Sequence, residues 1–155
     1  MKQITSNKLL WCLITIEDPN FLPGKSIQEV VKLFLDKIEF KFATFDYIDG
    51  ALTGELEEKE STILTVTDLM EKLLHVEQFV WGNFFLFKES PETWVAQKYI
   101  DYPLVIAQTD TTIRAVDGQY IYIYTPYQEL VDLLKTNYVI ESITEGPLNT
   151  LQYPE

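Results

Sequence analysis

Between residues 78 and 124, strand-like segments follow one another and no helical pattern separates them. These segments are rich in aromatic and β-branched residues, which favour strands. Strands that follow one another directly tend to pair in the antiparallel sense, because a parallel pair needs a long crossover connection. The order predicts an α+β protein whose mainly antiparallel, twisted sheet has about five to seven strands.

Three other segments carry apolar residues at helical spacing. The first begins at Ser26, which forms a capping-box pattern with Glu29. The second begins near Thr65 or Thr67, and the third follows Thr125, a good N-cap residue. We expect these three helices to pack mostly on one face of the sheet.

Turn residues mark the remaining strands. Residues 8–16 form a near-continuous apolar run, which is typical of a strand buried on both faces. A strand over residues 39–49 is expected to end at the turn pair Asp49-Gly50, and residues 51–57 to return as its partner. Two shorter strands are also predicted, at Leu104–Gln108 and at Tyr138–Ile143.

The clearest hairpin turns at Asp117-Gly118, and two registers are open to it. A two-residue turn would place Arg114 on the same face as Ile121 and Ile123. A three-residue loop, with Gly118 in the left-handed conformation, would shift the pairing by one residue. It would leave the isoleucines on one face and gather Arg114 with Tyr120, Tyr122 and Tyr124 on the other. The second register is favoured, because it separates apolar from amphipathic side chains.

The charge balance limits the partners of this chain. Its 155 residues include 24 acids and 12 basic residues, for a net charge of −12, and Arg114 is the only arginine. The lysines are scattered, so there is no basic footprint for nucleic acid or for an anionic membrane. A field of this sign attracts a basic protein. The alternative interpretation is that the surplus acid only keeps the protein soluble.

No catalytic, cofactor or metal motif is found, so we expect neither enzyme activity nor a cofactor. Cys12 is the only cysteine and lies in an apolar run, where a thiolate is disfavoured. His75 is the only histidine, too few for a histidine-rich metal site. The chain is expected to form one globular domain, 1–155, with an irregular tail over 146–155. A single cysteine and the lack of a membrane-spanning or signal-like segment favour the cytoplasm.

Two features are candidates for partner binding. The first is the segment 46–60, hereafter the acidic segment, which has a net charge of −5. Its acids are Asp46, Asp49, Glu55, Glu57, Glu58 and Glu60. Such a segment steers a cationic partner, or is simply a solvated loop. The second is the row Tyr120, Tyr122 and Tyr124, which would supply binding anchors if exposed and core side chains if covered.

In overall character the chain resembles the bacterial immunity proteins that neutralise polymorphic toxins. The resemblance rests on composition, on the acidic segment and on the aromatic stretch Trp81-Gly82-Asn83-Phe84-Phe85. It implies a non-enzymatic inhibitor that occludes the active site of a basic, nuclease-like toxin. Two alternatives stay open. One is a small-molecule binding module with an aromatic-lined pocket, and the other is a DNA-mimic antirestriction protein.

Overall fold

A computed structural model of the chain describes residues 10–94 and 100–155. The strands in these ranges are β1 (Trp11–Glu17), β2 (Phe42–Ala51), β3 (Leu64–Thr65), β4 (Gln78–Phe87), β5 (Thr111–Val116), β6 (Tyr120–Thr125) and β7 (Ser142–Gly146). They form one sheet in the order β3-β2-β4-β5-β6-β1-β7, and every neighbouring pair is antiparallel. The predicted α+β class with an antiparallel sheet is therefore confirmed. The first predicted strand begins at Trp11, while residues 8 and 9 lie outside the described ranges.

Five α-helices are present in the described residues. They are α1 (Gly24–Phe34), α2 (Gly54–Glu57), α3 (Val66–Leu73), α4 (Tyr102–Ile106) and α5 (Gln128–Asn137), with one 3₁₀ turn at Leu148–Thr150. Three of them, α1, α3 and α5, pack on one face of the sheet, as predicted. None of the five has the length and apolar character required to cross a membrane.

The main core lies between these three helices and the sheet face that they cover, hereafter the helical face. Alternate residues of the strands point into it, because side chains alternate between the faces of a sheet. The sheet contributes Ile14, Phe45, Phe84, Ile113 and Ile123 among others. The helices contribute their buried stripes, which include Val30, Phe34, Leu69, Leu130 and Leu134.

The β5–β6 hairpin has the register that separates apolar from amphipathic side chains. Val116 pairs with Tyr120, which leaves a three-residue loop, and Gly118 has a φ of 66°. Ile113 pairs with Ile123 on the helical face, and Arg114 pairs with Tyr122 on the opposite face. The favoured prediction is confirmed. Burying the isoleucines against the helices fixes this register, since a one-residue slip would turn them away from the core.

The predicted hairpin at Asp49-Gly50 is wrong. Strand β2 continues through this pair to Ala51, and its main partner is β4, far along the chain. The pairing shifts between Asp46 and Asp49 and again before Gly50, so the Asp-Gly pair lies in an irregular, bulged stretch of the ladder. Residues 51–57 do not form a strand beyond Ala51, because Gly54–Glu57 is the short helix α2.

Gly50 is required here because β4 passes very close to it. A Cβ atom built on Gly50 would lie 2.0 Å from the carbonyl oxygen of Gln78. We predict that Gly50→Ala lowers the free energy of unfolding by about 1–3 kcal/mol, because the two strands must move apart. Urea unfolding measures this change. Gly54→Ala is the matched control, since nothing lies within 4 Å of its Cβ position. Equal stability of the two variants would contradict the prediction.

Four other local predictions need correction. The segment 104–108 lies mostly in helix α4 because the Asp101 side chain accepts a hydrogen bond from the Leu104 amide, which caps the helix. Helix α1 begins at Gly24 without a side-chain cap, so Ser26 lies inside it. The last strand is β7, which starts four residues later than predicted. Helix α5 begins at Gln128 without a side-chain cap, so Thr125 does not cap it. The predicted start of α3 near Thr65 is confirmed, and the Thr65 side chain accepts from the Asp68 amide.

The opposite face of the sheet, hereafter the tail face, is covered by α4 and by the segment after β7. Buried residues there form two smaller clusters, one around Trp11, Leu13 and Tyr124 and one around Phe85 and Phe87. The final residues of the chain pack on the first of these clusters through Leu151 and Tyr153. The tail face also carries the most unusual polar group of the described structure, the side chain of Arg114.

Candidate functional site

Arg114 lies in the middle of β5 on the tail face and is only 1% exposed. Its Nε donates to Oδ1 of Asn83 at 2.7 Å, and its Nη2 donates to the hydroxyl of Tyr102 at 3.0 Å. Nη2 also donates to the carbonyl oxygen of Pro154 at 2.5 Å. The guanidinium lies 4.1 Å from the centre of the Tyr102 ring. A buried arginine keeps its charge, so these contacts hold a fixed cation inside the protein.

A row of three polar side chains crosses the sheet at this point. Asp46 on β2 pairs with Asn83 on β4, and Asn83 pairs with Arg114 on β5. Nδ2 of Asn83 donates to Oδ1 of Asp46 at 3.1 Å, while its Oδ1 accepts from Arg114. Asn83 therefore links the buried carboxylate to the buried guanidinium, and the strand register alone brings the three together.

Burial dominates the acid–base chemistry of this row. It raises the pKa of Asp46 from 3.8 to about 6, and the negative charge of Glu60 adds to the increase. The hydrogen bond from Asn83 and the charge of Arg114 act in the opposite direction. Burial also raises the pKa of the Tyr102 hydroxyl, which stays protonated at neutral pH.

A cavity of about 720 Å³ opens on the tail face beside this row. Its polar lining comes from Asn83, Tyr102 and Arg114, and its aromatic lining includes Tyr47 and Trp81. Two exposed carboxylate residues, Asp49 and Glu155, also border the cavity. A volume of this size accommodates a small organic molecule.

The bulge in β2 shapes this cavity. Tyr47 has a φ of 52° at the point where the β2–β4 register shifts, and the next paired residues are Asp49 and Trp81. Bulges redirect side chains and occur often beside functional sites. Tyr47, Asp49 and Trp81 all line the cavity as a result.

One donor of Arg114 is not satisfied. Among the described residues, Nη1 has no hydrogen-bond partner although it is buried. Leaving a buried donor unpaired costs about 1–3 kcal/mol, and more when the group is charged. Folded proteins keep few such groups, and an unpaired buried donor beside a cavity indicates a ligand or a water that completes it.

The three tyrosines of β6 differ in exposure. Tyr124 is fully buried, and its hydroxyl donates to the carbonyl oxygen of Gln152 at 2.6 Å. Its ring stacks on Tyr153 at 5.2 Å, and Tyr153 in turn stacks on Tyr102 at 5.6 Å. Tyr120 and Tyr122 are half-buried. The packing of the chain end on this face therefore removes Tyr124 from the surface.

The acidic segment is also divided between interior and surface. Asp46 is 8% exposed and belongs to the polar row, so it is not available to a macromolecule. Oε2 of Glu60 accepts from the Ile48 amide at 2.9 Å, and Glu57 accepts from the Thr53 hydroxyl. Glu57 is nevertheless exposed, as are the other three acids, Asp49, Glu55 and Glu58. Glu55 also contacts Nδ1 of His75 at 2.9 Å.

Exposed apolar side chains accompany these carboxylates. Leu52 is 71% exposed and Tyr47 is 45% exposed, and both belong to the acidic segment. Val80, which is 36% exposed, lies in the part of β4 that pairs with the end of β2. Tyr47 and Leu52 have φ values of 52° and 59°, which are strained for residues other than glycine and cost about 1 kcal/mol or more each. Strain combined with exposure is typical of functional surfaces.

The remaining reactive groups are not brought together. Cys12 is buried in the main core, where burial raises the pKa of its thiol. His75 is exposed at the end of α3 and pairs with Glu55. Within residues 10–94 and 100–155, no group of three or more His, Cys, Asp or Glu side chains is placed to hold a metal ion.

Comparison with known proteins assigns no family to this chain. It matches no protein-family model, no curated protein and no solved structure. What the protein does therefore has to be inferred from the chemistry of its own residues.

The polar row and the cavity are the part of the site that the sequence did not predict. The sequence distinguishes Asp46 by its charge, and Arg114 as the only arginine and by the hairpin register. A signal was present, because the only arginine of the chain lies in an otherwise apolar and threonine-rich strand. The partner strand β4 places the amide side chain of Asn83 among aromatic residues. Recognising the pair requires the β4–β5 register, which the sequence does not contain.

Proposed function

We propose that this protein is a non-enzymatic inhibitor that binds a basic protein, in the manner of an immunity protein that neutralises a nuclease-like toxin. The binding surface in this proposal is the exposed part of the acidic segment with its neighbouring apolar side chains. A net charge of −12 accelerates encounter with a cationic partner, and the local carboxylates orient it.

The conformation of Leu52 is the observation that carries this proposal. Its side chain is 71% exposed and its backbone is held at a φ of 59°, between the carboxylates of Asp49 and Glu55 in the chain. Packing does not explain this placement, because the side chain has little cover. An apolar anchor surrounded by polar groups is the arrangement found at the energetic centre of protein interfaces.

The acidic segment is held in place by its own hydrogen bonds. Glu60 accepts from the Ile48 amide, and Glu57 accepts from the Thr53 hydroxyl, so two of the acids fasten the segment to β2 and to the start of α2. A surface fixed before binding loses less conformational entropy when a partner docks. This supports a rigid binding surface in preference to a solvated loop.

The experiment reverses three exposed acids that do not hold the segment in place. We predict that the combined change Asp49→Lys, Glu55→Lys and Glu58→Lys slows association with the partner by about tenfold or more, because local charge steers encounter. The partner is first captured from the source cells with the unmodified protein, and the rate is then measured with both purified proteins by surface plasmon resonance. The rate for the unmodified protein should fall as salt rises.

A matched triple variant separates local from overall charge. Glu39, Glu92 and Glu129 are exposed acids outside the acidic segment, and their reversal to Lys changes the net charge by the same amount. This variant should retain most of the association rate. Equal slowing in the two variants, or no slowing in either, would overturn the proposed binding surface.

A further inference from the structure

We propose that the cavity beside Arg114 binds a small aromatic molecule that carries one carboxylate group. In this arrangement the carboxylate accepts a hydrogen bond from Nη1 of Arg114, and the aromatic ring packs against Trp81. Asp49 borders both the cavity and the acidic protein-binding surface proposed above, but the cavity would bind an anion and the surface a basic protein, so the two proposals rest on different observations.

The anion is assigned from the unpaired donor. Nε and Nη2 of Arg114 are fully engaged with Asn83, Tyr102 and Pro154, whereas Nη1 is buried without a partner among the described residues. A guanidinium binds carboxylate and phosphate oxygens better than neutral acceptors. An incoming carboxylate would satisfy this donor, and its charge would be balanced by a cation that cannot lose its proton.

The number of charges on the ligand is limited by the surrounding acids. Asp49 and Glu155 border the cavity, and the buried Asp46 is linked to Arg114 through Asn83. Each of these carboxylates repels a bound anion. One guanidinium among three carboxylates can stabilise a monoanion, but a phosphate monoester with about two negative charges would meet stronger repulsion. The local charge therefore favours a carboxylate over a phosphate.

The aromatic part of the ligand is assigned from the lining. Tyr47 and Trp81 supply aromatic side chains, Ile48 and Ile100 supply apolar surface, and the volume of about 720 Å³ exceeds that of a single ring. Aromatic rings pack well in offset or edge-to-face arrangements with such side chains. Apolar lining with a few polar groups that fix orientation is the usual composition of a small-molecule site.

Isothermal titration calorimetry with three probes tests the ligand class. The probes are 3-phenylpropionate, its amide 3-phenylpropionamide, and phenyl phosphate. We expect saturable binding of the carboxylate at a dissociation constant of about 1 mM or below. The amide should bind at least about tenfold more weakly because it carries no charge. The phosphate should also bind at least about tenfold more weakly because its larger negative charge is repelled by the surrounding acids. No saturable binding of the carboxylate, or binding as tight by the amide or by the phosphate, would overturn the proposal.

Variants then test the residues. Arg114→Lys keeps the charge but loses the planar donor set, so it should lower the affinity for the carboxylate at least about tenfold. Asp49→Asn should tighten binding about two- to fivefold, because one repulsive charge is removed. Asp117→Asn, at an exposed aspartate that does not line the cavity, is the control and should leave the affinity unchanged. If Arg114→Lys does not fold, Trp81→Leu is used in its place, because loss of the Trp81 ring should also weaken binding of the carboxylate. The proposal would be overturned if the affinity were unchanged in the Asp49 variant and also in the folded Arg114→Lys or Trp81→Leu variant.

Discussion

Replacing Arg114 by alanine is expected to lower the free energy of unfolding by about 3–5 kcal/mol. The guanidinium is 1% exposed and donates to Asn83, Tyr102 and Pro154. Its removal leaves the oxygens of Asn83 and Pro154 without their donor, while the Tyr102 hydroxyl keeps only the hydrogen bond from Nδ2 of Asn83. It also takes away the positive charge that lowers the pKa of Asp46. The change is measured by urea unfolding followed by circular dichroism.

The control for this variant removes a positive charge at the surface. Lys25 is exposed on α1, and Lys25→Ala is expected to change the stability by no more than about 0.5 kcal/mol. The contacts of Pro154 make a second readout available. Because Nη2 of Arg114 holds the end of the chain on the tail face, the Arg114 variant should be cut more rapidly by carboxypeptidase under native conditions. A loss of stability no larger than that of the Lys25 variant would show that the buried network contributes little.

Local signals in the sequence were sufficient for the fold class and for part of the register. Alternation of apolar and amphipathic residues in β6 decided which residues face the helices, because burial strongly selects one register. The start of α3 was predictable for a similar reason, since Thr65 accepts from an amide three residues ahead of it. Both features depend on residues that are near one another in the chain.

The errors occurred where distant contacts override a local preference. Asp49-Gly50 is a common turn pair, yet it lies inside β2 because β4 pairs with this stretch and requires the glycine for close approach. The Ser26 capping box does not form, because Gly24 begins the helix and its amide donates to Val76, a residue beyond α3. No pattern within a few residues of either position indicates these contacts.

The candidate site shows the same division. Composition alone indicates the acidic segment. Which of its acids are buried and which hold the segment in place follows from the β2 bulge and from the Ile48–Glu60 hydrogen bond. The predicted Tyr124 anchor is covered because the chain end, expected to be irregular, packs on it through Tyr153. The polar row beside the cavity forms only because Asp46, Asn83 and Arg114, which are distant in sequence, pair across three strands.

Replacing Asp46 by asparagine is expected to stabilise the protein at neutral pH by about 3 kcal/mol. Burial raises the pKa of Asp46 from 3.8 to about 6 in the folded protein, so the folded state binds this proton more tightly than the unfolded state does. Each tenfold difference in proton affinity is worth about 1.4 kcal/mol. The contribution of Asp46 to stability therefore declines as pH rises from about 4 to about 6, and above that range the cost of the ionised carboxylate is constant.

The difference between the variant and the unmodified protein isolates this group from the other titrating acids. Asparagine keeps the shape and can still accept from Nδ2 of Asn83, but it cannot ionise. The two proteins should be equally stable near pH 3.5, and the advantage of Asp46→Asn should grow until about pH 6.5 and then level off. Asp49→Asn removes a carboxylate at an exposed position of the same segment and serves as the control. A stability difference for Asp46→Asn that is the same at pH 4 and at pH 7 would show that burial does not disfavour the Asp46 charge. The Arg114 guanidinium would then compensate the desolvation of the Asp46 carboxylate fully. Arg114 would have less capacity to attract an anionic ligand in that case.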